Sequence, residues 1–133
     1  MSTIFEQIIA GEIPSQKVYE DDVCVAFLDI APQSHGHFLL VPRVPVDQFD
    51  ELPADTLAHL FELVGKFSKP LREEFGSERC GVVIAGYGVP HAHIHLFPTN
   101  GMEDFNLEKH LEVSPEELAA DAERVRKALS SVG

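Results

Sequence analysis

Three things are scarce in this 133-residue sequence: cysteine, positive charge and long apolar runs. Cys24 and Cys80 are its only cysteines, each in hydrophobic surroundings, which suits buried thiols in a reducing compartment better than a disulfide framework. No stretch approaches the roughly 20 apolar residues that cross a bilayer. The N-terminus lacks the cationic start of an export signal; Ile4, Phe5, Ile8 and Ile9 recur at helical spacing around Glu6 and Gln7. A soluble, cytoplasmic protein is expected. Ten Lys and Arg against 22 Asp and Glu leave a formal charge of −12. That balance argues against nucleic acid and membrane as partners, because both are held mainly by cations placed on phosphates.

Acid is also missing locally. Residues 30–46 and 79–102 hold no Asp or Glu, where average usage would place about seven of the 22. Buried strands exclude charge and would explain this alone. Yet five of the seven histidines fall in the same two stretches, and histidine is not the usual filling of a buried strand. A local site for an anionic substrate accounts for both facts.

The length suits one domain with a core of its own, spanning 1–133. Thr3 and Glu6 have capping-box spacing ahead of a short helix over 3–10 that Gly11 can stop. Segments 17–20 and 23–29 read as a β-hairpin turning at Asp21-Asp22, and Phe38–Val41 before Pro42 as a short central strand. Leu57, Leu60, Phe61, Val64, Phe67, Leu71 and Phe75 predict a helix over 54–75, which Pro70 should kink or split. Gly81–Ala85 and Ala92–Phe97 read as strands joined by the turn Gly86-Tyr87-Gly88-Val89-Pro90. Ser114-Pro115-Glu116-Glu117 opens a last helix over about 114–131. Helix, strands, helix, strands, helix predicts an α+β fold on an antiparallel sheet.

In a strand, residues two apart share a side, so His91, His93 and His95 would line one face about 6.5 Å apart along the backbone, with Ala92, Ile94 and Leu96 toward the core. Imidazole can be neutral nucleophile, general acid or cationic phosphate partner near neutral pH. His35 and His37 repeat the pattern before the Phe38–Val41 strand, and His37 would reach the triplet if the two strands were neighbours. Spacing alone leaves phosphate chemistry, a divalent metal site and a merely structural triplet all open.

The run His91-Ala92-His93-Ile94-His95-Leu96-Phe97 resembles the signature of the histidine triad (HIT) family of nucleotide hydrolases and transferases. The resemblance extends over Ile4-Phe5-x-x-Ile8-Ile9-Ala10-Gly11-Glu12-Ile13-Pro14, Val18–Asp22, Ala26–Ile30 and Gly36–Pro42, and so from residue 4 to about 98. It implies a β-meander sheet with flanking helices that continues across a homodimer. It also implies attack by the middle histidine, His93, on the α-phosphate of a purine nucleoside phosphoramidate, dinucleoside polyphosphate or related nucleotide conjugate, followed by hydrolysis of the nucleotidyl-histidine. His95 and His37 would then orient His93 and hold phosphate oxygens, and His91 would fix the histidine network. Asp29 matches the ribose contact; Ile4, Phe5, Ile8 and Phe27 match an apolar slot for the base.

Many relatives hold structural zinc through an N-terminal Cys-x-x-Cys and a later histidine together with one triad histidine; Thr3, Glu6 and Pro45 stand at those places here, so no metal or other cofactor is expected. Ala85 and the short Gly86–Pro90 turn replace an Asn and a Gly-Gln-Ser segment, leaving the backbone N–H groups of Gly88 and Val89 as candidate phosphate donors. A nucleotide- or partner-binding protein with little turnover is the alternative reading.

Overall fold

The computed structural model describes residues 2–132; the two outermost positions of the expected domain lie outside them. The elements run α1 (Ile4–Ile9), β1 (Lys17–Glu20), β2 (Cys24–Leu28), β3 (Phe38–Pro42), α2 (Ala54–Glu74), β4 (Arg79–Val83), β5 (Ile94–Thr99) and α3 (Pro115–Ser130). The five strands form one antiparallel sheet in the order β1-β2-β3-β5-β4. The first three strands make a meander. The crossover through α2 then carries the chain to the far edge, and β5 returns between β4 and β3.

Both expected capping boxes are present: Thr3 and Glu6 open α1, and Ser114 and Glu117 open α3 behind Pro115. Gly11 and Gly76 follow α1 and α2 at φ +81 and +62, the left-handed conformation that only glycine adopts cheaply. The expected hairpin turns at Asp21, whose Oδ1 accepts from the N–H groups of Val23 and Cys24 at 2.8 and 2.9 Å.

Two expectations are corrected. Helix α2 is not split at Pro70 and runs on as one helix of 21 residues. Pro70 removes a single backbone bond near the C-terminal end, while Phe67 and Leu71 on either side are fully buried, each burial stabilising by about 1.5–3 kcal/mol. The strand expected at 92–97 begins only at Ile94, and its partner expected at 81–85 is Arg79–Val83. Pairing ends at Val83–His95 on one side and Leu40–Ile94 on the other. Beyond that point Gly86 turns β4's exit away at φ +80, and Pro42, at the end of β3, has no N–H with which to extend a ladder.

Strands β2 and β3 are buried on both faces. Cys24, Ala26, Leu28, Phe38, Leu40, Ile94 and Leu96 pack with Leu60, Phe67 and Leu71 of α2 and Val125 and Leu129 of α3. On the other side Val25, Phe27, Leu39 and Val41 pack with Phe5 and Ile8 of α1. The histidines lie on this α1 side, since His95 is paired with Leu39 and Phe5 packs edge-on against His91 and His93.

Candidate active site

Each imidazole can be assigned a tautomer from its partners, because a backbone carbonyl can only accept and a backbone amide can only donate. His91 Nε2 lies 2.7 Å from the Pro42 carbonyl and must donate to it. Its Nδ1 is therefore a lone pair, which takes the Thr3 hydroxyl at 2.8 Å. His93 Nδ1 donates to the His91 carbonyl at 2.7 Å, which in the neutral ring makes Nε2 the lone pair. On the other branch the Gln33 N–H donates to His37 Nδ1 at 2.9 Å, so His37 Nε2–H donates to His95 Nδ1 at 3.0 Å. His95 is left with its proton on Nε2. Two rings thus carry a free valence of opposite kind, a lone pair on His93 and an N–H on His95, with centroids 5.1 Å apart.

Burial reinforces this state. It pushes the His37 pKa down to about 3, helped by His95, and that of His95 down to about 4, helped by His93. Both rings are neutral at pH 7. Asp29 stands at the C-terminal exit of β2, where Oδ1 accepts from the Ala31 N–H at 2.9 Å and Oδ2 lies 3.6 Å from His37 Nε2 and 3.9 Å from His95 Nδ1. Burial raises its carboxyl, against the pull of the Ala31 amide. His37 is delivered by Gly36, which sits at φ +93 with the Phe75 ring 2.6 Å from where a Cβ would be. Any side chain there would strain the turn and clash with the ring.

A cavity of about 430 Å3 opens over this branch, lined by Asp29, Gln33, His37, Ala85, Tyr87, Gly88, His95 and Leu107 among others. Of the residues singled out from the sequence, Asp29, His37, His95 and Gly88 meet there. Phe5, Ile8 and Phe27 are instead closed into the α1-side core, against which Val89 packs, while Ile4 is 48% exposed and outside it. Gln33, Tyr87 and Leu107 were missed. Tyr87 was visible only as a turn residue, and nothing in the sequence near Leu107 marks it as a neighbour of residues so distant along the chain.

Metal fit can be tested on the donors. Asp29, His37 and His95 bring ligand atoms within 4.8 Å of one another, but His37 Nε2 and His95 Nδ1 are already committed to each other. At Thr3 and Glu6, which the resemblance sets against zinc ligands, the Thr3 hydroxyl holds His91 Nδ1 and the Glu6 carboxylate is used on the Thr3 N–H at 2.9 Å. Pro45 offers no side-chain donor. This set does not fit zinc.

Fold and site together define a protein with a histidine relay laid across an antiparallel α+β sheet. The HIT-domain family model matches residues 10–102. An uncharacterized HIT-like protein of Methanocaldococcus jannaschii is 41% identical over 100 residues, covering 71% of this chain and 77% of that protein. The adenosine 5′-monophosphoramidase hnt1 of Schizosaccharomyces pombe is 35% identical over 133 residues, 94% of this chain and 96% of its own length. A Hit-like protein of Bartonella henselae, described as involved in cell-cycle regulation, has a similar structure with a TM-score of 0.82 at 32% identity, covering 96% and 97% of the two chains. The chain belongs to the HIT family, and its relatives include a named nucleotide hydrolase.

Proposed function

We propose that this protein is a metal-independent nucleotidyl hydrolase or transferase that cleaves at the α-phosphate of purine nucleoside phosphoramidates, dinucleoside polyphosphates or related conjugates, with His93 as nucleophile. The observation that carries the reading is the bond from His93 Nδ1 to the His91 carbonyl, which leaves the Nε2 lone pair as the ring's only free valence. A neutral imidazole nitrogen attacks without a further base. The Nε2 pair forms the bond to phosphorus, and the pair of the breaking P–N bond leaves on an amine nitrogen that has already taken a proton from solvent, so the amine departs neutral. Water then attacks phosphorus, the P–Nε2 pair returns to His93, and the water proton goes to solvent.

In this reading the His95 Nε2–H donates to a non-bridging oxygen, His37 holds His95 in its tautomer, and His91 holds His93. Asp29 accepts from the ribose hydroxyls, and the Gly88 and Val89 amides face the phosphate. Ile4, with its exposed side chain, edges the base, and Phe5, Ile8 and Phe27 back that edge from the core. The enzyme works in the cytoplasm as a homodimer, joined through the outer edge of β4, with half-exposed Val82 and the Phe61 face of α2 beside it. Sedimentation at micromolar concentration tests the dimer. Incubation with adenosine 5′-phosphoramidate should leave a nucleotide mass on the peptide containing His93, absent from His93→Gly. Normal turnover by His93→Gly would overturn the mechanism, and metal found by elemental analysis of protein purified without chelators would overturn the metal-free reading.

A further inference from the structure

Three residues lead the chain into His37, and each is gripped by a different element. Ser34 Oγ donates to the carbonyl of Pro98 in β5 at 2.7 Å. His35 Nδ1 donates to the Asp121 carboxylate of α3 at 2.7 Å. Gly36 lies against the ring of Phe75, the residue at the C-terminal cap of α2, and the Arg124 guanidinium of α3 sits 4.1 Å from the centre of that ring, close enough for a cation–π contact. Arg124 is aimed by its own bonds to Glu74, from Nη2 to the carbonyl at 2.7 Å and from Nε to the carboxylate at 3.2 Å. Asp121 and Arg124 stand at i and i+3 of one helix and so share a face.

Asp121 is the least exposed acid among the described residues, at 7%, and it stands on the buried face of α3 beside Ala122 and Val125. Stability does not call for a carboxylate there. Desolvation of a buried charge offsets most of what its partner returns, and an apolar side chain would pack on the core without that cost. What the carboxylate supplies is a fixed acceptor, carried by a helix, that selects one placement of His35. The turn passes that placement on. The His37 N–H donates to the Ser34 carbonyl at 3.2 Å and the Gln33 N–H to His37 Nδ1 at 2.9 Å, so a shift of His35 or Gly36 disturbs the bond that keeps the His37 proton on Nε2. Helix α3 packs with α2 on one side of the sheet and the histidines lie on the other, and the turn carries the grip of α3 around the start of β3.

We infer that Asp121, through His35, and Arg124, through Phe75, are positioning residues for the reaction: they hold the turn over 33–37 so that His37 keeps its Nε2–H on His95 and His95 keeps its own Nε2–H for the phosphate. The inference rests on the reading of His93 as nucleophile and His95 as phosphate donor. It gives the last helix a share in the chemistry although no atom of it touches the reacting groups.

The test reads the ring-nitrogen NMR signals of His37 and His95 in the 15N-labelled full chain, alongside steady-state kinetics on adenosine 5′-phosphoramidate. The wild type should show one tautomer for each ring, protonated on Nε2. Asp121→Ala should populate both tautomers at His95 and lower kcat about tenfold or more with KM changed by less than about threefold, because a misplaced donor is felt in the transition state. Asp121→Asn keeps an acceptor for His35 and should restore the single tautomer and most of kcat. Adding His35→Ala to Asp121→Ala should cost little more, since both act along one line. Arg124→Ala should show a smaller loss of the same kind, and it decides the matter if Asp121→Ala does not fold. Unchanged His95 signals with unchanged kcat, a loss that Asp121→Asn does not restore, or a lower thermal midpoint with kcat per folded molecule intact would overturn the positioning role. Absence of a His93 adduct in the wild type would instead overturn the nucleophile, and the tautomer signals would then decide Asp121 by themselves.

Discussion

At the β1–β2 turn, the Asp21 carboxylate uses its whole accepting capacity. Oδ1 takes the Val23 and Cys24 amides and the Cys24 thiol at 3.4 Å, and Oδ2 takes the Tyr19 hydroxyl at 2.7 Å and His59 Nε2 at 2.6 Å. At the entries to β3 and β5 the histidines are wired the opposite way. His91 and His37 have both ring nitrogens engaged, while His93 and His95 each keep one free. The first arrangement fastens β1, β2 and α2 together and leaves nothing to react. The second uses equally short bonds to fix which valence remains and where it points. The carboxylate is saturated, whereas two of the imidazoles keep a vacancy, which is what the proposed mechanism uses.

The comparison breaks most directly at His93. His93→Gly should lower turnover by about 10,000-fold or more while the thermal midpoint moves little, as expected for a group acting on the reacting atoms. A comparable loss of folded protein would instead make His93 a structural residue.

Acid should separate the two knots. The unfolded chain protonates His37 and His95 near pH 6.5, and the folded chain only near pH 3 to 4. Their contribution to stability is therefore complete above about 6.5 and is lost as the pH falls from there through about 4. Asp21 shifts in the other order of pH. Burial alone would raise its carboxyl, but the bonds from His59, Tyr19 and the two amides hold it well below the usual carboxylate range, so its share is lost only below about 3.8. Urea unfolding at pH 7.0 and 4.5 should show a loss on the order of 3 kcal/mol, clearly smaller in His37→Gln. An equal loss in both proteins would remove the relay as the cause.

Asp21→Ala leaves a tyrosine, a histidine and two amides without their acceptor, and should cost about 2–3 kcal/mol. Activity per folded molecule should survive, since no atom of that knot reaches the cavity; a matching fall in kcat would show the two regions to be coupled. The smallest effect is expected from Thr3→Val, about 1–2 kcal/mol from the lost cap and the orphaned His91 Nδ1. If His91 is the support for His93, that variant should also lower kcat rather than raise KM, which steady-state kinetics would read directly.

Much of the scaffold was legible in the order of residues. Local signals are strong where one element decides its own ends: Thr3 with Glu6, Ser114 with Pro115 and Glu117, Gly11, and Gly76 after the apolar stripe of α2. They failed where a neighbour decides. The strand at the histidines stops at Ile94 because Pro42 and the turn at Gly86 withdraw its partners, and α2 runs through Pro70 because the sheet and α3 hold both of its halves. For the site, the His-x-His-x-His spacing marked three imidazoles that the fold holds by different bonds, but it made them equivalent.

By itself the sequence determined the α+β element order, the depletion of acid around the histidines and the membership that its motifs announce, because these depend on residue type and near neighbours. The tertiary structure alone decided which nitrogen of each ring carries a proton. That choice is made by the carbonyl of Pro42, the hydroxyl of Thr3 and the amide of Gln33, which approach the rings only after the sheet has brought β3 beside β5. It also brought Leu107 to the cavity that Tyr87 lines, beside a hydrogen bond between Gln33 and Lys109, 76 residues apart, for which no local pattern exists.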